Sequence, residues 1–190
     1  MKPFFGELHQ KIKEAVKNEM EYIFTQVGNE KIYAVALVSD EDAITLFLAV
    51  NTLEYLAKKD RKNLKFMRDY LSPEKIEAVE NGTKSLTKYI PDEWGYSDRK
   101  GSGLNEVSSL LFKKEGENAA EYAKHKGEFF EMVTSALEEL KAEGVFGNDT
   151  EDITFFVSIS DGEDMEEIIK KSAGRLNSKE TCEEISSWFE

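Results

Sequence analysis

Lys31-Ile32-Tyr33-Ala34-Val35-Ala36-Leu37-Val38-Ser39-Asp40-Glu41-Asp42-Ala43-Ile44-Thr45-Leu46-Phe47-Leu48-Ala49-Val50 is the stretch whose reading decides the fold. It holds two apolar runs, 32–38 and 43–50, each too short for an ordinary helix and the first rich in β-formers. Between them lies the polar turn Ser39–Asp42. Two such runs across a four-residue turn read as a hairpin of antiparallel strands. Both faces of each strand are apolar, so the hairpin is expected at the centre of a sheet and covered.

Outward from the hairpin the period changes. Phe5, Leu8, Ile12, Val16, Met20, Ile23 and Val27 are spaced by threes and fours, which predicts an amphipathic helix over 5–27, stopped at Gly28-Asn29. Residues 51–82 read as a broken helix that restarts at Ser72-Pro73-Glu74 and ends at Asn81-Gly82. A short strand is expected over 85–90, and helices over 104–113, 117–143 and 180–189. Ile153–Ser160 is a third strand, and Ser160-Asp161-Gly162-Glu163-Asp164 offers a capping box for a further helix. Strict βαβ alternation is absent, so the expected class is α+β: a small, mainly antiparallel sheet with a central hairpin, packed by several helices in one domain, 1–190.

At 40% hydrophobic and 11% aromatic the 190 residues can build a core without a metal or disulfide staple. No apolar run reaches the ~20 residues of a bilayer span, no secretory signal is expected at the N-terminus, and Cys182 stands alone. A reducing, cytoplasmic setting is expected. Residues 1–100 carry 16 basic and 17 acidic side chains, while 101–190 carry 9 and 21, so almost all of the net charge of −13 belongs to the second half. Asp149, Glu151, Asp152, Asp161, Glu163, Asp164, Glu166 and Glu167 fall in one stretch with no basic residue. Such a surface repels nucleic acids and anionic membranes and attracts basic proteins. Capping explains some of these acids, since a helix N-terminus favours them, but hardly all five between 161 and 167.

Nucleophile elbow, Walker A, dinucleotide, HExxH, CxxC and EF-hand patterns are all missing, so no catalytic residue and no cofactor is assigned. Glu121, His125 and Glu128 could share a helix face and are a weak metal candidate; otherwise no metal is expected. Lys58, Lys59, Arg61, Lys62, Lys65 and Arg68 form a basic cluster that reads as a solvated helix face. Tyr89, Trp94 and Tyr96 gather around Pro91 in a loop. Such aromatics either pack on the core or recognise a ligand, in the second case with Asp92, Glu93 or Asp161.

Tyr33–Leu37 with Asp40, then Asn51-Thr52, Pro91–Tyr96, Glu143–Gly147 and Phe156–Asp161 occur in an order that resembles a bacterial family of uncharacterised proteins, domain of unknown function 4303. The resemblance spans nearly the whole chain and implies a bacterial cytosolic protein. It brings no activity and no catalytic residues. The leading expectation is a protein-binding module, immunity-like by analogy with small acidic bacterial proteins, that engages a basic partner. The alternatives are a small-ligand binder or enzyme with a pocket by the Trp94–Tyr96 loop, and a domain with no separable site.

Overall fold

The computed structural model describes residues 1–147 and 149–189; Asn148 and Glu190, the remaining residues of the expected 1–190 domain, lie outside the described residues. Four strands form one sheet: β1 (Ile32–Ser39), β2 (Phe47–Thr52), β3 (Tyr96–Ser97) and β4 (Thr154–Ile159). Their spatial order is β3-β2-β1-β4, so the hairpin of β1 and β2 is central. β2 pairs antiparallel with both β1 and β3, whereas β4 lies parallel to β1, with Ala34 opposite Thr154 and Ser39 opposite Ile159. The fold is α+β, but the sheet is mixed rather than mainly antiparallel. The reason is the long excursion through residues 98–153, which brings the chain back to the starting end of β1 before β4 begins.

Helices cover both faces. On one side lie α1 (Lys2–Val27), α4 (Gly103–Glu117) and α6 (Lys126–Ala142), whose apolar stripes meet Val35, Leu37, Leu48, Val50, Phe155 and Val157. On the other, α2 (Leu53–Met67), α7 (Met165–Leu176) and α8 (Lys179–Phe189) join the 83–95 loop over Ala34, Ala36, Val38, Ala49 and Phe156. The alternation of strand side chains thus feeds two cores, which is why both runs of the hairpin are apolar throughout. At Tyr33 and Ala34 two consecutive residues face the second core, because the β1–β2 register slips there as a β-bulge. Each fully buried Leu, Ile or Phe contributes about 1.5–3 kcal/mol.

Residues 85–90 are not a strand but a loop, and the helical signal of 117–143 divides into α5 (Ala119–Ala123) and α6. The division falls at the Lys124-His125 turn, while Asn118, whose Oδ1 accepts from Glu121 N at 3.1 Å, separates α4 from α5. α3 (Pro73–Glu80) starts where Ser72-Pro73 predicts, with Ser72 Oγ accepting from Lys75 N. α7 begins at Met165 with no side-chain cap from Asp164, so the expected capping box does not form.

Both open edges of the sheet are closed by side chains. Along β4, Phe155 N donates to Asn177 Oδ1 at 2.7 Å, Asn177 Nδ2 donates to Phe155 O at 2.6 Å, and Val157 N donates to Ser172 Oγ at 2.8 Å. Beyond the two residues of β3, Leu48 N donates to Asp98 Oδ1 at 2.9 Å and Leu46 N to Ser108 Oγ at 2.9 Å. Among the described residues no helix is long and apolar enough to cross a membrane.

Candidate functional site

The aromatic loop is held from below by β1 and β2. Buried Asn51 on β2 donates through Nδ2 to Tyr33 Oη at 3.1 Å and accepts from Gly95 N through Oδ1 at 3.3 Å. Tyr33 Oη in turn donates to Lys88 O at 3.0 Å, the same oxygen that takes Trp94 Nε1–H at 3.2 Å. Trp94 is only 8% exposed; its ring meets Phe156 and Tyr33 edge-on at 5.5 and 6.3 Å. Tyr96 pairs with Val50 in the sheet and donates its hydroxyl to Glu30 Oε2 at 2.8 Å, where Thr52 Oγ1 also donates at 2.5 Å. These two donors hold Glu30 below the usual carboxylate range. Burial first, then Glu30, pushes the Tyr96 phenol up to about 12. Both rings are therefore employed as a clasp between loop and sheet.

Asp92 and Glu93 sit in a 3₁₀ turn, Pro91–Glu93. Glu93 pairs with Lys59 at 2.5 Å. Partial desolvation raises the Asp92 carboxyl, and the charge of Asp161 adds to the effect. Neither of two surface concavities, one of about 420 Å³ and one of about 640 Å³, is lined by Trp94 or Tyr96.

The parallel pairing of β1 and β4 sets two acidic loops side by side, which the sequence read separately. Ser39 and Ile159 are opposite one another, so Asp40-Glu41-Asp42 and Asp161-Gly162-Glu163-Asp164 leave the sheet at the same end. Asp161 Oδ1 accepts from Glu41 N at 3.4 Å, and a Cβ on Gly162 would stand 3.2 Å from the Glu41 side chain. Asp40 is occupied by the turn itself, accepting from Ile44 N at 3.1 Å and Thr45 Oγ1 at 2.5 Å. Asp42 is paired with Lys126 and Glu166 with Lys170. Glu41, Asp92, Asp161, Glu163, Asp164 and Glu167 are exposed and make no ion pair among the described residues. Glu41 and Asp42 belong to this end although the sequence reading treated them only as a turn; its signal was there, the strand direction was not. Asp149, Glu151 and Asp152 precede β4 and so lie at its other end, where Asp152 pairs with Lys31 at 2.7 Å.

His125 stands between two carboxylates, Nδ1 3.1 Å from Glu128 and Nε2 3.4 Å from Glu121. The three residues do meet, but one on each ring edge, which spreads them instead of converging on a point. No three His, Cys, Asp or Glu side chains among the described residues are arranged to hold a metal ion. Cys182 donates its thiol to Ala173 O at 3.4 Å, and burial pushes the thiol up, away from thiolate chemistry.

Glu19 and Lys13 each find their partners far along the chain, where sequence spacing gives no signal. Glu19, buried in α1, takes Arg99 Nη2 at 2.9 Å and Nε at 3.1 Å, with Arg99 N at 2.9 Å. Lys13 joins α1 to α6 through Glu139 at 2.6 Å and Glu143 at 2.7 Å. No curated protein and no solved structure matches the chain. A family profile described as a domain of unknown function, DUF4303, matches residues 12–178, from α1 to just past the end of α7, and the chain belongs to that family.

Proposed function

We propose that the protein is a binding module that engages a basic protein partner through the acidic end of its sheet, in the manner of an immunity protein. The observation that carries this reading is the convergence of the loops after β1 and β4, which puts Glu41, Asp161, Glu163, Asp164 and Glu167 at one end without cations of their own. Like charges gathered at a surface cost stability, and the expense is recovered when a cationic surface docks and its counter-charges are met. Dispersed carboxylates suit steering of a macromolecule better than chelation of an ion. The small-ligand alternative draws less support, since the rings of the Trp94–Tyr96 loop are committed to the core and to Glu30.

Polylysine serves as a probe of the charge, and stopped-flow association as the measurement. Association at low salt is expected to be fast and to slow steeply with salt. Reversal of Glu163, Glu166 and Glu167 to Lys should lower the association rate by about tenfold or more while the circular dichroism spectrum of the folded chain is kept. An unchanged rate in the triple variant at low salt removes the reading.

A further inference from the structure

Residues 53–71 run against the charge of the chain, with Lys58, Lys59, Arg61, Lys62, Lys65 and Arg68 facing only Glu54, Asp60 and Asp69. Lys59 is held by Glu93 and Arg68 by Glu80. Lys58, Lys62 and Lys65 make no ion pair among the described residues and, spaced by four and three, share one face of α2. That face ends in exposed aromatic side chains, Phe66 at 72% and Tyr70 at 86%. Rings this exposed touch little of their own chain, and beside Lys62 and Lys65 they form a cationic, aromatic tip.

The acidic end offers the matching charge. A shallow, open depression is lined there by Glu163, Glu166, Glu167, Lys170 and Lys171. Lys170 is tied to Glu166 at 2.5 Å and Lys171 to Glu131 at 2.6 Å. Their aliphatic stems are left to line the concavity, with the carboxylates around it.

We propose that the protein self-associates by seating the α2 tip of one copy, Phe66 and Tyr70 flanked by Lys62 and Lys65, in the acid-rimmed groove of α7 on a second copy. The inference rests on the reading of the acidic end as a docking surface. Opposite charge on two faces of one chain favours a second copy, which brings a complement to each face at once, whereas an anionic lipid or nucleic acid surface meets the tip alone and opposes the acidic end. At physiological salt the Debye length is about 8 Å, so contacting charges act while repulsion between whole molecules is screened. α2 and α7 belong to the same helical layer, so a two-fold axis lets both contacts form at once and the assembly close as a dimer.

Sedimentation of the full chain at physiological salt provides the test. The wild type is expected to dimerise, and Phe66→Ser with Tyr70→Ser to weaken the dimer about tenfold or more with no change in melting. Lys58→Glu, Lys62→Glu and Lys65→Glu in one variant, and Glu163→Lys, Glu166→Lys and Glu167→Lys in another, should each yield monomers. An equimolar mixture of the two should associate again, because each then meets its complement. A wild type that stays monomeric, or a mixture that does not re-associate, overturns the proposal. So does a monomer whose tip binds phosphatidylserine vesicles or single-stranded RNA in a Phe66-dependent way. The tip variants keep the acidic end, so polylysine binding to them, whatever their oligomeric state, reports on the docking surface by itself.

Discussion

A methyl group on Gly95 would stand 2.6 Å from Cγ of Tyr55, so the ring or the loop would have to shift. Gly95→Ala should therefore cost about 1–3 kcal/mol, visible as a lowered melting temperature, and Tyr55→Ala in the same chain should recover part of the loss. Glu19 offers a test by pH. Hydrogen bonds from Arg99, first among the causes, hold its carboxyl below the ordinary 4.5. A group whose folded value is depressed stabilises the native state above its unfolded value, and that stability is lost as pH falls through the folded value. Glu19→Gln should accordingly cost about 2 kcal/mol near neutrality, with the gap to wild type closing as pH falls below the ordinary 4.5 in a series of thermal melts. Neither residue announces itself in the sequence. Gly95 reads as one more loop glycine, and Glu19 as a polar position on an amphipathic helix, because the ring and the guanidinium that define them arrive from residues far along the chain.

At the scale of elements, the first helix was legible from its period of 3.6 and the three long strands as short apolar runs buried on both faces. β2 starts at Phe47 and not at Ala43, because Asp40 holds Ile44 N and Thr45 Oγ1 in the turn. β3 was not legible, being two residues that pair only because Tyr96 is drawn to Glu30 and Val50. The expected strand over 85–90 failed for a related reason: its backbone donors are taken elsewhere, Leu86 N by α2 and Thr87 N by Ser85 Oγ at 3.1 Å. Asp60, buried on that helix, accepts from Leu86 N at 3.0 Å and Thr87 Oγ1 at 3.3 Å. Within a helical stripe an aspartate reads as a defect, yet here it is the peg on which the loop hangs. Asp60→Ala leaves those donors without an acceptor and should cost about 1–3 kcal/mol. Hydrogen exchange is expected to quicken at Leu86 and Thr87 well before α1 responds. Exchange rates that rise evenly across the chain would show that Asp60 does not act locally. The direction of β4 could not be read from the hydrophobic pattern, because an apolar run is the same in either sense. The acidic end depends on that direction, which is why only its second loop was selected as a candidate.

At the scale of the molecule, the uneven charge sets a background for every measurement. With 38 acidic and 25 basic side chains the native state repels itself. Raising salt from low to physiological strength should raise the melting temperature of the wild type, and by less in the chain with Glu163, Glu166 and Glu167 reversed to Lys, whose net charge is closer to zero. An equal salt response in both chains would place the repulsion elsewhere than at the end of the sheet.

The stoppered rim of β4 bears on how the protein ages in solution. A strand whose outer amides and carbonyls were open would be a template on which neighbours could stack into fibres, and the apolar Phe155-Phe156-Val157 run has the composition for it. Asn177 and Ser172 imitate a missing strand, so contagion is blocked by side chains that belong to the same chain and need no chaperone. Asn177→Ala with Ser172→Ala should then shorten shelf life more than it lowers the melting point. Thioflavin fluorescence would rise with concentration and time in samples still folded by circular dichroism, and the harm would come from company rather than from heat.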